Sequence, residues 1–360
     1  MAEVTTRLAA REAIAADLRQ FFKSTIQNVT GVEITVDASR DFAQDKFRIR
    51  GWYALLGDAY SSLVTLNGAI GAGDVQIFYT STGDPVQTGD VILIGNELLL
   101  VLAVNTALNR LDVIRGYNGT IAAAHLTGVA ITRATGAWRP IVNHDPTTGV
   151  ITVNRAFSPV PANGDPLVLL GILDPPAWDD CLNEALTQTP RRDRFTTPLL
   201  ANTWEYALPS WVQIEEQVEA VKLRYAPAGS RPQEISAMHL KQEDENAVSI
   251  QLRTLPADVV DVSLLVDARR YYTALQADTA TTTMPLRHLR AVGAEVAANR
   301  ILHELGASGK EVFGVSMAII RDKANNARKA LLGQSAELDY SLGHTGAIGP
   351  VALTSGPDWS

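Results

Sequence analysis

Residues 89–116 read GDVILIGNELLLVLAVNTALNRLDVIRG. Short runs rich in Val, Ile and Leu are cut by Gly95-Asn96 and by Asn105 to Asn109, the chemistry of strands joined by tight turns. The same texture reaches from about Ser61 to Ala134. SSLVTL, DVQIFYT, DVILIG, ELLLVLAV, RLDVIRG and VAITRA alternate with Asn67-Gly68, Thr82-Gly83-Asp84-Pro85 and Thr88-Gly89-Asp90, while charges thin out. Strands at this spacing predict a small antiparallel barrel or sandwich over 61–135, inserted into the chain.

Outside this stretch helices and strands mix. Thr6 to Lys23 predicts an amphipathic helix, because Ile14, Leu18, Phe21 and Phe22 fall at i, i+4, i+7 and i+8 with Arg7, Arg11, Glu12, Asp17 and Arg19 around them. VEITV (32–36) reads as a strand and RDFAQDKFRIR (40–50) as a charged loop or edge strand, so 1–60 holds the N-terminal helix and the first part of a core. The core continues over 136–332. GVITVNRAF and DPLVLLGI are strands, and a helix at about 176–188 opens on Pro175-Pro176, with Trp178, Cys181, Leu182, Ala185 and Leu186 on its apolar face. TPRRDRFTTPLLAN (189–202) reads as a basic loop, and a second β-rich region spans 204–271. Helices cover about 285–332, the first striped by Leu286, Leu289, Val292, Val296 and Ile301. Residues 333–360 lack periodicity and read as an extended tail that orders against a partner. The expected fold class is α+β: a helical core, an inserted small antiparallel β-barrel or sandwich, and a second β-rich region.

With 46% hydrophobic and 19% charged residues, the 360-residue chain can bury real cores. Its formal net charge of -8 argues against a sequence-independent grip on nucleic-acid phosphates. The single cysteine, Cys181, excludes an intrachain disulfide and a CxxC zinc site. The N-terminal residues lack a signal-peptide apolar region and no long apolar run occurs, so a cytoplasm-made protein without a membrane span is expected.

Catalytic and cofactor motifs fail on inspection. A phosphate loop at Gly309-Lys310 would need Gly at 304 and Ser or Thr at 311, and both are Glu. Gly68, Gly71 and Gly73 reverse the dinucleotide-binding spacing and precede a strand, so they read as a flexible turn. The six histidines make no HxxxH or HExxH pattern, Glu243-Asp244-Glu245 lacks the alternating oxygen ligands of a calcium loop, and no GxSxG elbow exists. No catalytic residue, cofactor or metal is expected. In LDVIRGYNGTIAAAHLTG (111–128), Asn118-Gly119 suits the positive-φ positions of a tight turn. Arg115, Gly116, Thr120 and His125 are read as tying that turn to its own domain. Arg191, Arg192 and Arg194 keep two readings: phosphate contact, or contact with an acidic neighbour in an oligomer.

The stretch from Gly89 to His125 resembles a module of tailed-bacteriophage structural proteins, in which "Gly-Asp, apolar, Gly-x-Glu" leads to "Arg-Gly-x-x-Gly-Thr-x-Ala-Ala-x-His". The matching residues are Gly89, Asp90, Gly95, Glu97, Arg115, Gly116, Gly119, Thr120, Ala122, Ala123 and His125. The order of the remaining elements is similar to head-to-tail connector (adaptor or neck) proteins: an N-terminal helix, GDPLVLL, "Pro-x-x-Trp…Leu-Asn-Glu-Ala-Leu", "Trp-Glu-Tyr-x-Leu-Pro" and a helix after "Leu-Arg-x-Leu". The resemblance implies a non-enzymatic virion protein, assembled in a bacterial host cytoplasm as a ring, commonly of twelve copies, below the portal protein. Downstream tail or neck proteins, and fibre or collar proteins, are the further partners it implies, with packaged DNA passing through and no membrane involved. A C-terminal tail reaching the portal would contribute Leu338, Tyr340, Leu342 and Trp359. A baseplate or fibre-attachment protein is the alternative virion position, and a virion-associated hydrolase the enzymatic one.

Overall fold

The computed structural model describes residues 4–36, 51–56, 64–80, 86–117, 120–134, 137–157, 160–225, 233–234, 238–244, 247–256, 262–278, 280–307, 309–341 and 353–355. They divide into two compact units, Met1–Leu186 with Thr273–Ala324, and Thr187–Tyr272 with Asn325–Ser360. The expected helical core is overturned. The described residues form 25 β-strands and only four α-helices, and the frame of the first unit is a closed barrel.

That barrel has the strand order Ala137–Asp145, Val150–Val153, Glu33–Val36, Phe21–Thr30, Pro166–Leu170 and Tyr53–Leu56, closing back on Ala137–Asp145. Alternation explains it: Ile34 and Val36, Ala54 and Leu56, Ile151 and Val153, and Leu167 and Leu169 all enter one buried core. The N-terminal helix, α1 (Arg7–Asp17), is accordingly shorter than expected. Arg19 takes a left-handed φ of 58° and the Gln20 N–H returns to the Ala15 carbonyl, which ends the helix. Phe21 and Phe22 then pair with Leu170 and Leu169 in the barrel instead of extending the helical face.

Between barrel residues Leu56 and Ala137, which are themselves register partners, the chain builds a second sheet. Its order is Val64–Thr65, Ala130–Arg133, Val91–Ile94, Glu97–Asn105, Arg110–Ile114 and Gln76–Phe78. The two outer strands meet through the Leu66–Tyr79 bridge and the 2.8 Å bond from Thr80 N–H to the Thr65 carbonyl, so the sheet curls around its own core of Ile77, Ile92, Leu99, Leu111 and Ile131. This insert therefore leaves few open strand edges.

Three further helices follow: α2 (Pro175–Gln188), α3 (Leu286–Glu304) and α4 (Met317–Ser341). Asp174 accepts from the Ala177 N–H at 2.8 Å and caps α2, whose Trp178, Cys181, Leu182, Ala185 and Leu186 are buried. Helix α1 packs on α3, where Gly293 lies against Ile14. Not all the charged residues around the apolar stripe of α1 face outward. Arg7 and Arg11 are buried and meet two buried carboxylates, Asp179 of α2 and Asp278. Arg7 also donates to the carbonyls of Ala134 and Leu275. Helix α4 continues to Ser341 rather than stopping at Leu332, so the first part of the expected tail is helical.

In the second unit, Pro190–Pro198, Val262–Tyr271, Val218–Tyr225 and Gln233–Glu234 form one sheet, and Glu205–Ala207, Ala247–Leu252 and Met238–Asp244 another. Tyr206, Val221, Leu223, Ile250, Leu264 and Val266 share one core between them. The stretch expected to be a basic loop is thus largely a strand, fully paired with Val262–Tyr271. Among the described residues, no helix is long and apolar enough to cross a membrane.

Candidate functional site

The insert's strand Glu97–Asn105 begins with a buried carboxylate. Arg115, just past the strand Arg110–Ile114, meets it with a two-pronged grip, Nε to Oε1 at 2.7 Å and Nη2 to Oε2 at 2.8 Å. The Gly116 N–H adds a bond to Oε1 and the Ala123 N–H a bond to Oε2, both at 3.1 Å. His125 Nε2 lies 2.8 Å from Oε2. Burial alone would raise the Glu97 pKa, but the bonds from Arg115, His125, Ala123 and Gly116 outweigh it and hold the carboxyl at about 2. Ionised, Glu97 only accepts, so His125 must donate through Nε2.

The remaining donors of Arg115 turn inward as well. Nη1 reaches the carbonyls of Gly71 at 2.7 Å and Asp74 at 2.9 Å, and Nη2 reaches the Ala123 carbonyl at 2.6 Å. A guanidinium has five N–H groups, and all five are engaged. The glycine-rich turn that follows Asn67 is therefore the seat of Arg115, closed by the Gly71 N–H on Asp74 Oδ2 at 2.8 Å. Gly116 has a φ of 62°, and a Cβ there would stand 2.8 Å from the Thr120 carbonyl oxygen, so no other residue fits without shifting the loop. Thr120 Oγ1 donates to the Tyr117 carbonyl at 2.9 Å and accepts from the Leu98 N–H at 3.0 Å. A cavity of about 450 Å³ opens beside the cluster, lined by Asn96, Thr120, Ile121, His125 and Gln276.

Asp90, the other acid of the module, is similarly engaged: it accepts from Arg133 Nε at 2.7 Å and from the Gln87 N–H at 2.8 Å. Of the expected turn residues, the structure brings Arg115, Gly116, Thr120 and His125 together, while Asn118 and Gly119 lie outside the described residues. Glu97, the hub, was visible only as the last residue of the Gly-x-Glu pattern.

Arg191, Arg192 and Arg194 lie on the strand Pro190–Pro198, apart in sequence from this cluster. Arg191 meets Asp193 at 3.3 Å and stacks over Tyr272, Arg192 meets Glu219, and Arg194 meets Asp267 at 2.7 Å. Leu338 and Tyr340 fall in the last turns of α4, and Leu342 and Trp359 lie outside the described residues. Among the described residues no group of three or more His, Cys, Asp or Glu is placed to hold a metal ion.

No family model and no characterised protein matches the chain.

Proposed function

We propose that this chain is a structural protein of a tailed-phage virion, present in several copies at the head-to-tail neck beneath the portal protein. The observation that carries the reading is the closed circuit of Glu97, Arg115 and His125. The residues that make up the phage-type module use their bonding capacity on one another, which suits a part that must keep its shape. The chain order from "Pro-x-x-Trp" at Pro175 through "Trp-Glu-Tyr-x-Leu-Pro" at Trp204 to "Leu-Arg-x-Leu" at Leu286 supports the neck position. A net charge of -8 suits a wall that DNA passes without adhering, because phosphate contacts drive non-specific affinity. In this reading the protein is made in a bacterial host cytoplasm, assembles as a ring, and contacts the portal above and tail or collar proteins below.

Negative-stain imaging of the full chain, alone and mixed with the portal protein of the same phage, tests this. Rings, or particles added to one face of the portal, are expected. A chain that stays monomeric at high concentration and ignores the portal would overturn the reading. Localisation at the tail tip in whole virions would move it to the baseplate or fibre-attachment alternative.

A further inference from the structure

The sheet of the second unit concentrates positive charge. Arg191, Arg192 and Arg194 stand on one strand, Lys222 on another, and Arg269 and Arg270 on the central one. Among the described ion pairs, three acids are each shared by two of these six cations. Glu219 lies between Arg192 and Arg269, Asp267 between Arg194 and Lys222, and Asp193 between Arg191 and Arg270. Alternation along the strands puts Arg192, Arg194, Lys222 and Arg269 with Glu219 and Asp267 on one face, a surplus of two positive charges there, and Arg191, Arg270 and Asp193 on the other. The chain as a whole carries -8, so the rest of it is more acidic still.

The pair around Glu219 is the most open. Arg192 and Arg269 are direct partners across the two strands. Both approach Glu219 through Nε, Arg269 at 2.8 Å and Arg192 on the other carboxylate oxygen. Among the described residues no hydrogen bond is made by their four terminal Nη groups, and the side chains are 30% and 48% exposed. Glu219 thus acts as a pivot that holds two guanidinium forks outward and in register. Two such forks match the planar oxygens of a carboxylate.

We propose that this face is a contact between neighbouring copies, in which the Arg192 and Arg269 forks grip carboxylates on the acidic surface of the next copy. Charge complementarity selects that occupant. A second copy carries, outside this sheet, the excess acid that balances the exposed forks, and single carboxylates fit the two guanidiniums that Glu219 holds side by side. The contact is heterologous, basic sheet to acidic surface, the kind that closes a ring or extends a stack. It rests on the reading that copies assemble, and names the surface that assembles them.

The test is the association of the full chain by sedimentation velocity, for wild type, Arg192→Glu, Arg269→Glu and the neutral Arg269→Gln, with circular dichroism to confirm folding. Each reversal is expected to weaken association at least about tenfold, the low end for close interfacial ion pairs. Wild-type association should fall as salt rises from about 50 mM to about 500 mM, because screening shortens the reach of the charges. Folded variants that associate like wild type would overturn the proposal while leaving the neck reading intact. If no variant folds, wild-type association indifferent to salt overturns it. A chain that is monomeric under all conditions and also ignores the portal removes both. Fluorescence-polarisation binding to duplex DNA that the variants abolish, with self-association unchanged, would overturn the neighbouring-copy contact in favour of a nucleic-acid surface.

Discussion

Arg115→Ala withdraws from the insert a side chain that makes bonds to Glu97, Gly71, Asp74 and Ala123. Removing one partner of a buried ion pair costs about 3–5 kcal/mol, because the other charge stays behind. Here Glu97 keeps the N–H groups of Gly116 and Ala123 and the His125 ring, so the low end applies, about 3 kcal/mol, or about two orders of magnitude in an opening equilibrium. Amide hydrogen exchange read by mass spectrometry locates the effect. Peptides covering Glu97–Asn105 and Arg110–Ile114 should exchange about a hundredfold faster. Peptides from the barrel strand Pro166–Leu170 and from Val262–Tyr271 should hold their rates. Arg115→Lys keeps the charge but not the fork and should fall between. Combining Arg115→Ala with Glu97→Gln should cost less than the two changes summed, since no unpaired charge then remains. Unchanged exchange in the insert of Arg115→Ala would show that the Glu97–Arg115 circuit holds nothing together.

The same carboxylate sets an acid limit. Its folded pKa of about 2 lies below its ordinary 4.5, so its stabilisation is complete above that ordinary value and is lost as pH falls toward about 2. Thermal melts across this window should decline for wild type and decline less for Glu97→Gln. Asp278→Asn leaves Arg7 and Arg11 with Asp179 as the only carboxylate of the quartet and should cost about 3–5 kcal/mol in urea unfolding, more than replacing Arg11 and Asp278 together by Met and Leu. Cys181 is fully buried and burial pushes its thiol up to about 12, so Ellman's reagent at pH 8 should find no thiol until denaturant is added. Gly293→Ala should destabilise by about 1–3 kcal/mol despite the better helix propensity of alanine, because the new Cβ runs into Cδ1 and Cγ1 of Ile14; Ile14→Ala in the same chain should relieve that clash.

Strands were legible where a local pattern makes them. DVILIG, ELLLVLAV and RLDVIRG coincide with Val91–Ile94, Glu97–Asn105 and Arg110–Ile114, and the Pro175-Pro176 helix start with α2. What stayed hidden is non-local. Nothing near Phe21 states that it pairs with Leu170, and its distance from Ile14 fits a helix equally well. The helix stop falls on Arg19, which adopts the left-handed conformation without being glycine. Arg7 and Arg11, four apart, read only as charges beside an apolar stripe until Asp179 and Asp278 arrive from far along the chain. The Arg191 run looked like a loop because its acids, Glu219 and Asp267, belong to other strands. Glu97 stood in the recognisable pattern, but its partners at positions 115 and 125 become neighbours only when Glu97–Asn105 pairs with Arg110–Ile114 and His125 bridges to Ile70.

The pairing of Leu56 with Ala137 has a mechanical consequence. Both ends of the insert attach at one rung of the barrel, so to the barrel the whole insert occupies the place of a hairpin tip. Of the barrel's own bonds, a pull on the insert would load that rung first and peel the ladder between Tyr53–Leu56 and Ala137–Asp145 bond by bond, as a zipper opens, rather than shearing many bonds at once. The bond from Arg7 to the Ala134 carbonyl sits just ahead of the first rung and ties the strand leaving the insert to the first helix. A force on the insert would therefore meet the buried arginine cluster before it reached the barrel.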